Sequence, residues 1–429
     1  MKKPTLAING GSKIRTKLFP SQLESMNAEY RACKKIFKKR ILSMFRGNWI
    51  PQFWGGENDQ ALENEVGARF QTHALAVNSC TSALIIACGA AGIQLGDEVI
   101  VSPYSMCCSA TSVLHYGAKP IFCDIEPETF CLVPEDVERK ITEKTKAIIV
   151  VDLFGHTYSE KIDEIAKKYG LIVIEDAAQA IGAMRAGKYA GTLGHIGCYS
   201  FTQGKHLTAG EGGMIVTNDQ ELFIKASLLR NHAESVIHGM NNADRAKYGM
   251  YDNMVGFNMR MTEMQAAILR VQFKKLDKII KARTENARAI SEQLTRIPFI
   301  SIYPTHPGCL HSYYVLSFRF NEEKAGISRD KFLNAVRAEL TEEKGRIDRG
   351  IPIGGGYIEP LYRLSLFQNR MHWALKNTDY SKVFLPNVEL LYNKELCLTL
   401  YHGLRLNKKD IKDICNAFIK VAQNINELK

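Results

Sequence analysis

The chain has 429 residues, 45% apolar and 24% charged, the make-up of a globular protein rather than a disordered one. With 56 basic against 45 acidic residues the net charge is +11, enough to steer anionic partners. The length exceeds one simple domain, and no run reaches the roughly 18 uncharged apolar residues of a membrane helix.

Met1-Lys2-Lys3-Pro4 is basic but no apolar stretch follows, so a cytoplasmic protein is expected. Residues 30–46 carry Arg31, Lys34, Lys35, Lys38, Lys39, Arg40 and Arg46 with no acid. Cys33, Phe37, Ile41 and Met44 recur there at helical spacing, which predicts an amphipathic helix with a solvated basic face. No nucleic-acid-binding motif accompanies it, and neither a nucleic acid nor a membrane is expected as partner. Residues 1–46 thus read as an arm and a basic helix, 47–280 as a large domain and 281–429 as a small C-terminal domain.

Gly47-Asn48-Trp49-Ile50-Pro51 and Gly55-Gly56 break the helical pattern, and an alternating α/β region opens near Leu62. Residues 99–102, 120–125, 147–154, 171–177 and 198–201 read as buried strands, with helical stretches at 79–93, 134–141 and 159–169. This alternation predicts a mainly parallel sheet covered on both faces, whose ligands bind beyond the carboxyl ends of its strands. Thr262 with Gln265 forms a capping-box signature, and Leu269, Phe273, Leu276 and Ile280 extend one long helix to about residue 294. A strand at 313–320, a Gly/Pro-rich loop at 351–360 and a final helix from Lys408, capped by Asn407, complete the chain. The 11 cysteines show no metal-ligand spacing, so reduced thiols and no metal site are expected.

The chemistry converges on residues 197–217, where two apolar runs flank a polar loop with a single lysine, Lys205. Held there, it is placed to lose its proton and attack a carbonyl. Upstream, a buried strand ends in Asp176. Such a pair meets the needs of a pyridoxal phosphate (PLP) enzyme: a Schiff-base amine and a partner for the pyridinium nitrogen. Asp176 taken alone also reads as a strand-end turn residue, and Gln179 as either a contact to the cofactor's phenolic oxygen or a polar turn. Asn78-Ser79-Cys80-Thr81-Ser82 opens an apolar helical run, where the hydroxyls cap the helix or its free N–H groups take a phosphate. Glu211 reads as a turn residue, and His195, His206, His232 and His402 as structural or solvated.

Asn-Ser-x-Thr-Ser-Ala-Leu at 78–84, Glu-Asp-Ala-Ala-Gln-Ala at 175–180, Ser-Phe-x-x-Gly-Lys at 200–205, Gly-Glu-Gly-Gly at 210–213, Arg-Asn-His at 230–232 and Gly-Phe-Asn-Met-Arg-Met-Thr-Glu-Met-Gln-Ala-Ala at 256–267 stand in this order. Together they resemble the DegT/StrS-type sugar aminotransferases. The resemblance implies a PLP-dependent transferase of fold type I, with a mainly parallel seven-stranded sheet covered by helices and a smaller α+β C-terminal domain. It also implies a homodimer with shared active sites. Lys205 would carry the cofactor, Asp176 would face its pyridine nitrogen and Gln179 its phenolic oxygen. Ser200, Thr81 and the backbone near Cys80 would hold the phosphate, reached by Asn258 from the other subunit. Met106 stands where the family usually stacks an aromatic on the ring, and Cys80 where a glycine is usual. Asp152 stands where a histidine is common, and His195 where an aspartate is.

The expected reaction is transfer of an amino group from L-glutamate or L-glutamine to a nucleotide-linked 4-keto or 3-keto hexose, feeding lipopolysaccharide, glycan or antibiotic pathways. Residues 6–11 and 354–362 resemble members that aminate cyclitol ketones of the scyllo-inosose type, the second expectation. A sugar dehydratase, which relatives build by replacing the lysine with histidine, and a non-catalytic scaffold are opposed by Lys205 itself.

Overall fold

The computed structural model describes residues 5–20, 26–248, 254–341, 353–399 and 406–429. Met1 to Pro4, residues 351–352 of the Gly/Pro-rich loop and His402 lie outside them. The strands are β1 His73–Val77, β2 Glu98–Val101, β3 Lys119–Phe122, β4 Thr145–Val151, β5 Ile172–Asp176, β6 Met184–Arg185 and β7 Lys188–Tyr189. They continue with β8 Ile196–Ser200, β9 Gly213–Thr217, β10 Ile300–Ile302, β11 Cys309–Leu310, β12 Leu316–Phe320, β13 Ile353–Gly355 and β14 Leu396–Thr399.

The main sheet has seven strands in the order β1-β9-β8-β5-β4-β2-β3. The five strands from β8 to β3 are parallel, and β9 runs antiparallel to both its neighbours. Strands covered on both faces need continuous apolar runs. Ala147-Ile148-Ile149-Val150-Val151 supplies one, and every residue of it is buried. The first strand, β1, escapes a reading by propensity because its alanines at 74 and 76 have little preference for strands; pairing with β9 makes it one. Helix Cys80–Ala90 is apolar all round, as befits an element packed between the sheet and helix Gln220–Arg230.

A second, antiparallel sheet, β10-β12-β14-β13, builds another core with helices Arg329–Glu339 and Lys408–Gln423. Helix Leu276–Leu294 joins the two: Leu276, Ile279 and Ile280 pack into the first sheet's layer, Ala287, Ile290 and Leu294 into the second core. The N-terminal segment also belongs to the second core. Leu6 and Phe19 are buried in it, and the Ala7 N–H donates to Glu339 Oε1 at 2.8 Å.

Two predicted helices are corrected. The basic helix spans Asn27–Lys39 rather than residues 30–46, because Arg40 turns left-handed at φ 58° and ends it. Its buried edge carries Glu29 and Ile36, while Phe37 is exposed. Glu29 is drawn inward by Gln272 Nε2 at 2.6 Å and Lys275 Nζ at 2.5 Å. The long helix is two, Glu263–Phe273 and Leu276–Leu294, divided where the Lys275 N–H closes a tighter turn onto the Gln272 carbonyl. The capping box at its start is present, with the Thr262 N–H donating to Gln265 Oε1 at 3.1 Å.

Asp152 and Glu175 form a buried pair of carboxyl groups beside β5. Glu175 Oε1 accepts from the Gly191 N–H at 2.6 Å, and its Oε2 from those of Leu193 and Gly194 at 2.9 and 3.0 Å. Asp152 Oδ1 accepts from the Tyr158 N–H at 2.9 Å, and its Oδ2 has no other donor. Burial raises the pKa of both groups, and the neighbouring Glu175 drives Asp152 further up, to well above its ordinary value. Three amides hold the charge on Glu175, so Asp152 keeps the proton and donates it to Glu175. Folding therefore takes up a proton here, and its stabilisation is complete at acid pH. It is lost as pH rises from about 4 through the raised value, at up to about 1.4 kcal/mol per pH unit. Asp152→Asn offers the same hydrogen bond without titrating. Its thermal melting points should fall less from neutral to alkaline pH than those of the wild type; equal slopes would refute the shared proton.

Candidate active site

The carboxyl ends of β5 and β8 lie side by side, with Asp176 opposite Cys198. Beyond β8, the Phe201 N–H donates to the Gly212 carbonyl at 2.8 Å and closes the loop that carries Lys205. The Lys205 ammonium nitrogen lies 4.5 Å from the ring centre of Tyr314. Where the chain re-enters the sheet, a Cβ on Gly213 would stand 2.4 Å from the Ser79 carbonyl carbon and 2.7 Å from the Cys80 nitrogen. Only glycine lets β9 pass this close to the start of helix Cys80–Ala90.

That helix start is capped as well as open. Ser79 Oγ accepts from the Ser82 N–H at 3.1 Å. The amides of Cys80 and Thr81 belong to the first turn, whose N–H groups have no carbonyl within the helix. Ser200, buried at the end of β8, accepts from the Thr202 N–H at 3.5 Å.

Asp176 is 3% exposed. Its Oδ2 accepts from the Ser109 hydroxyl at 2.7 Å, its Oδ1 from the Ala178 N–H at 3.2 Å and, at 4.0 Å, from the Cys80 thiol. Ser105 Oγ stands 2.9 Å behind Ser109 Oγ. Burial raises the pKa of Asp176, against the hydrogen bonds from Ser109 and Ala178 and the charge of Lys205. Gln179 Oε1 accepts from the Phe154 N–H at 2.9 Å, and its Nε2 donates to the Tyr357 hydroxyl at 2.8 Å.

Cys80, Asp176 and Lys205 are therefore brought together, with Ser200 and Gln179 at the same strand ends. Met106 lies half exposed on the loop after β2, where its carbonyl accepts from the Ser109 N–H at 3.1 Å. Asn258 is exposed, and its Oδ1 accepts from Arg260 Nε at 2.7 Å. Sequence reasoning missed Ser109, Tyr314 and, as an individual residue, Tyr357. Ser109 stands in the one-turn helix Cys108–Thr111, which no sequence pattern marks; Tyr357 lay within a stretch already singled out at 354–362.

The histidines take structural places. His206 is buried with Nε2 3.0 Å from the Ser312 carbonyl, and burial, with Arg283 beside it, holds its pKa well down. His195 Nδ1 accepts from the Val173 N–H at 3.0 Å, and His232 precedes a helix at φ 60°. Glu211 accepts from Thr202 Oγ1 at 3.2 Å. Among the described residues no His, Cys, Asp and Glu cluster could hold a metal, and no helix is long and apolar enough to cross a membrane.

A buried carboxylate met by neutral donors, a lysine beside it and an open helix start kept clear by Gly213 fit PLP: ring nitrogen, aldehyde and phosphate each find a complementary group. The fold and this set of residues define a PLP-dependent aminotransferase. The pattern of the DegT/DnrJ/EryC1/StrS aminotransferase family matches residues 32–419, and the chain belongs to that family. It is 37% identical to GDP-perosamine synthase of Escherichia coli O157:H7 over 82% of this chain and 88% of that one. It is 30% identical to the L-glutamine:2-deoxy-scyllo-inosose aminotransferase of Streptomyces kanamyceticus over 98% and 97% of the two chains. The crystal structure of an aminotransferase from Psychrobacter cryohalolentis superposes with a TM-score of 0.81 at 28% identity, covering 96% of this chain and all of that one.

Ser109→Ala removes the shortest hydrogen bond to a buried carboxylate. The PLP-free variant should lose about 1.5–3 kcal/mol at neutral pH in denaturant unfolding, while Ser109→Thr, which keeps the hydroxyl, should lose less. Equal losses in the two variants would assign the effect to packing.

Proposed function

We propose that the chain aminates a keto-sugar, most simply a nucleotide-linked 4-keto or 3-keto hexose, with L-glutamate or L-glutamine as donor. The observation that carries this reading is the grouping of Lys205, Asp176 and Gln179 beyond the ends of β5 and β8. Bound PLP supplies an electron sink for the bond broken at the donor's α-carbon. Asp176 would face the ring nitrogen and keep it protonated, and Gln179 would donate to the phenolic oxygen. The Cys80 and Thr81 amides and Ser200 Oγ bind the phosphate. Met106 packs its thioether on the ring in place of an aromatic.

Lys205 Nζ would hold the cofactor's aldehyde carbon, and as a free amine it would take the proton from the donor's α-carbon. In the second half-reaction the same nitrogen delivers a proton to the carbon that becomes the amine-bearing centre of the product. Tyr314, beside that nitrogen, and the ring of Phe154 give the pocket an aromatic side that excludes water. Asn258 completes the phosphate cradle from a second copy of the chain, so the working unit is a homodimer. The large domain ends near residue 280, within the helix that serves both cores.

A second reading, amination of a cyclitol ketone of the scyllo-inosose type, is favoured by one observation. The relative named for that activity matches this chain almost end to end, whereas the perosamine relative leaves more of it unmatched.

Purified protein with PLP should show a visible absorbance band that is absent from Lys205→Ala and bleaches with glutamate or glutamine. Keto-hexoses and scyllo-inosose, added in turn, should restore it for one class only. Lys205→Ala should lose at least about a thousandfold in turnover. A wild type without a lysine-dependent band would sink the proposal.

A further inference from the structure

We propose that Tyr357 is a positioning residue, brought to the cofactor pocket by the second sheet, which fixes the orientation of Gln179 and thereby sets the acidity of the link between Lys205 and PLP. The inference rests on the PLP reading above and concerns a side chain that leaves the second sheet just beyond β13 and packs against the core of the main sheet.

Tyr357 stands two residues beyond Gly355, the last residue of β13. The Gly356 N–H donates to the Leu396 carbonyl at 2.9 Å, which ties the turn to β14. Gly356 itself sits at φ 63°, and a Cβ there would meet the Tyr392 carbonyl oxygen at 2.9 Å, so the turn is held in a conformation that a side chain would strain. Four residues beyond Tyr357, the Leu361 N–H donates to the Pro103 carbonyl at 2.9 Å. The segment is thus anchored on one side to the second sheet and on the other to the loop after β2.

Between these anchors the Tyr357 ring meets Phe154 edge-on at 5.1 Å and 84°, and Tyr104 at 6.0 Å and 85°. Its hydroxyl accepts from Gln179 Nε2 at 2.8 Å. The other end of the same amide is also held, because Gln179 Oε1 accepts from the Phe154 N–H at 2.9 Å. A carboxamide has one acceptor oxygen and two N–H donors in a single plane. With the oxygen and one N–H taken, the remaining N–H has a single direction and the amide cannot flip. That second N–H is the one left for the phenolic oxygen of the cofactor.

A donor fixed on that oxygen favours its ionised form and so opposes protonation of the Lys205 link; a loosened donor favours the protonated link. Burial raises the pKa of the Tyr357 phenol, so its hydroxyl stays neutral as the link titrates.

The test is the visible absorbance of PLP-loaded protein followed against pH, with no substrate present. Tyr357→Phe keeps the ring contacts and removes only the hydroxyl. Its midpoint should rise by about one pH unit, the worth of one hydrogen bond to an ionised oxygen. Gln179→Leu should move the midpoint the same way, and adding Tyr357→Phe to Gln179→Leu should move it no further, since both act through one amide. A Tyr357→Phe midpoint equal to that of the wild type, or shifts that add in full in the double variant, would overturn the inference while leaving the PLP reading intact. A wild type that shows no Lys205-dependent band would overturn both. Should Tyr357→Phe fail to fold, the Gln179→Leu titration decides alone: an unmoved midpoint removes the amide through which Tyr357 is held to act.

Discussion

The arrangement depends on one carboxylate. Asp176 is buried at the end of β5, and among the described residues its hydrogen-bond donors are Ser109, the Ala178 amide and, distantly, the Cys80 thiol, none of them a cation. An ionised acid in such a place is costly unless a positive group comes to it. Proteins tolerate such a cost where function needs it, and a cationic group brought to Asp176 would relieve it. The other features of the pocket are arranged around that point: a helix start at Cys80 and Thr81, a lysine on the next loop, and an amide at Gln179.

Two sheets meet at this site, and the meeting is physical rather than incidental. The main sheet supplies Asp176 and Ser200 and the loop of Lys205. Tyr314 just before β12 and Tyr357 just after β13 come from the second sheet's neighbourhood. The Tyr314 N–H donates to the carbonyl of Phe154, whose own N–H holds Gln179. Helix Leu276–Leu294, with one end in each core, holds the two layers in register.

Departures from the usual residues of the family have local explanations in the packing. Cys80 replaces a glycine but points its thiol toward Asp176, away from the first-turn amides. Asp152, in the place of a histidine, does not face substrate: it lies beside β5, donating a proton to Glu175, which three loop amides hold. His195, in the place of an aspartate, accepts from the backbone of β5.

The sequence by itself determined the class. Local composition makes the parallel strands, because only continuous apolar runs such as 147–151 can be buried on both faces, and motif order places a lysine and an aspartate at their ends. Asp176, Cys80 and Ser200 stand at strand or helix ends that the pattern marks, and Lys205 on the polar loop between two apolar runs. Tertiary structure alone decided the rest. Which face of the basic helix is buried depends on Gln272 and Lys275, more than 200 residues away, claiming Glu29. The strand β1 exists because β9 pairs with it, and Ser109 matters because the short helix Cys108–Thr111 brings its hydroxyl to Asp176. Tyr357 reaches Gln179 across 178 positions of chain. Contacts of that range carry no local signature, since any polar residue of suitable reach reads the same until the fold closes around it.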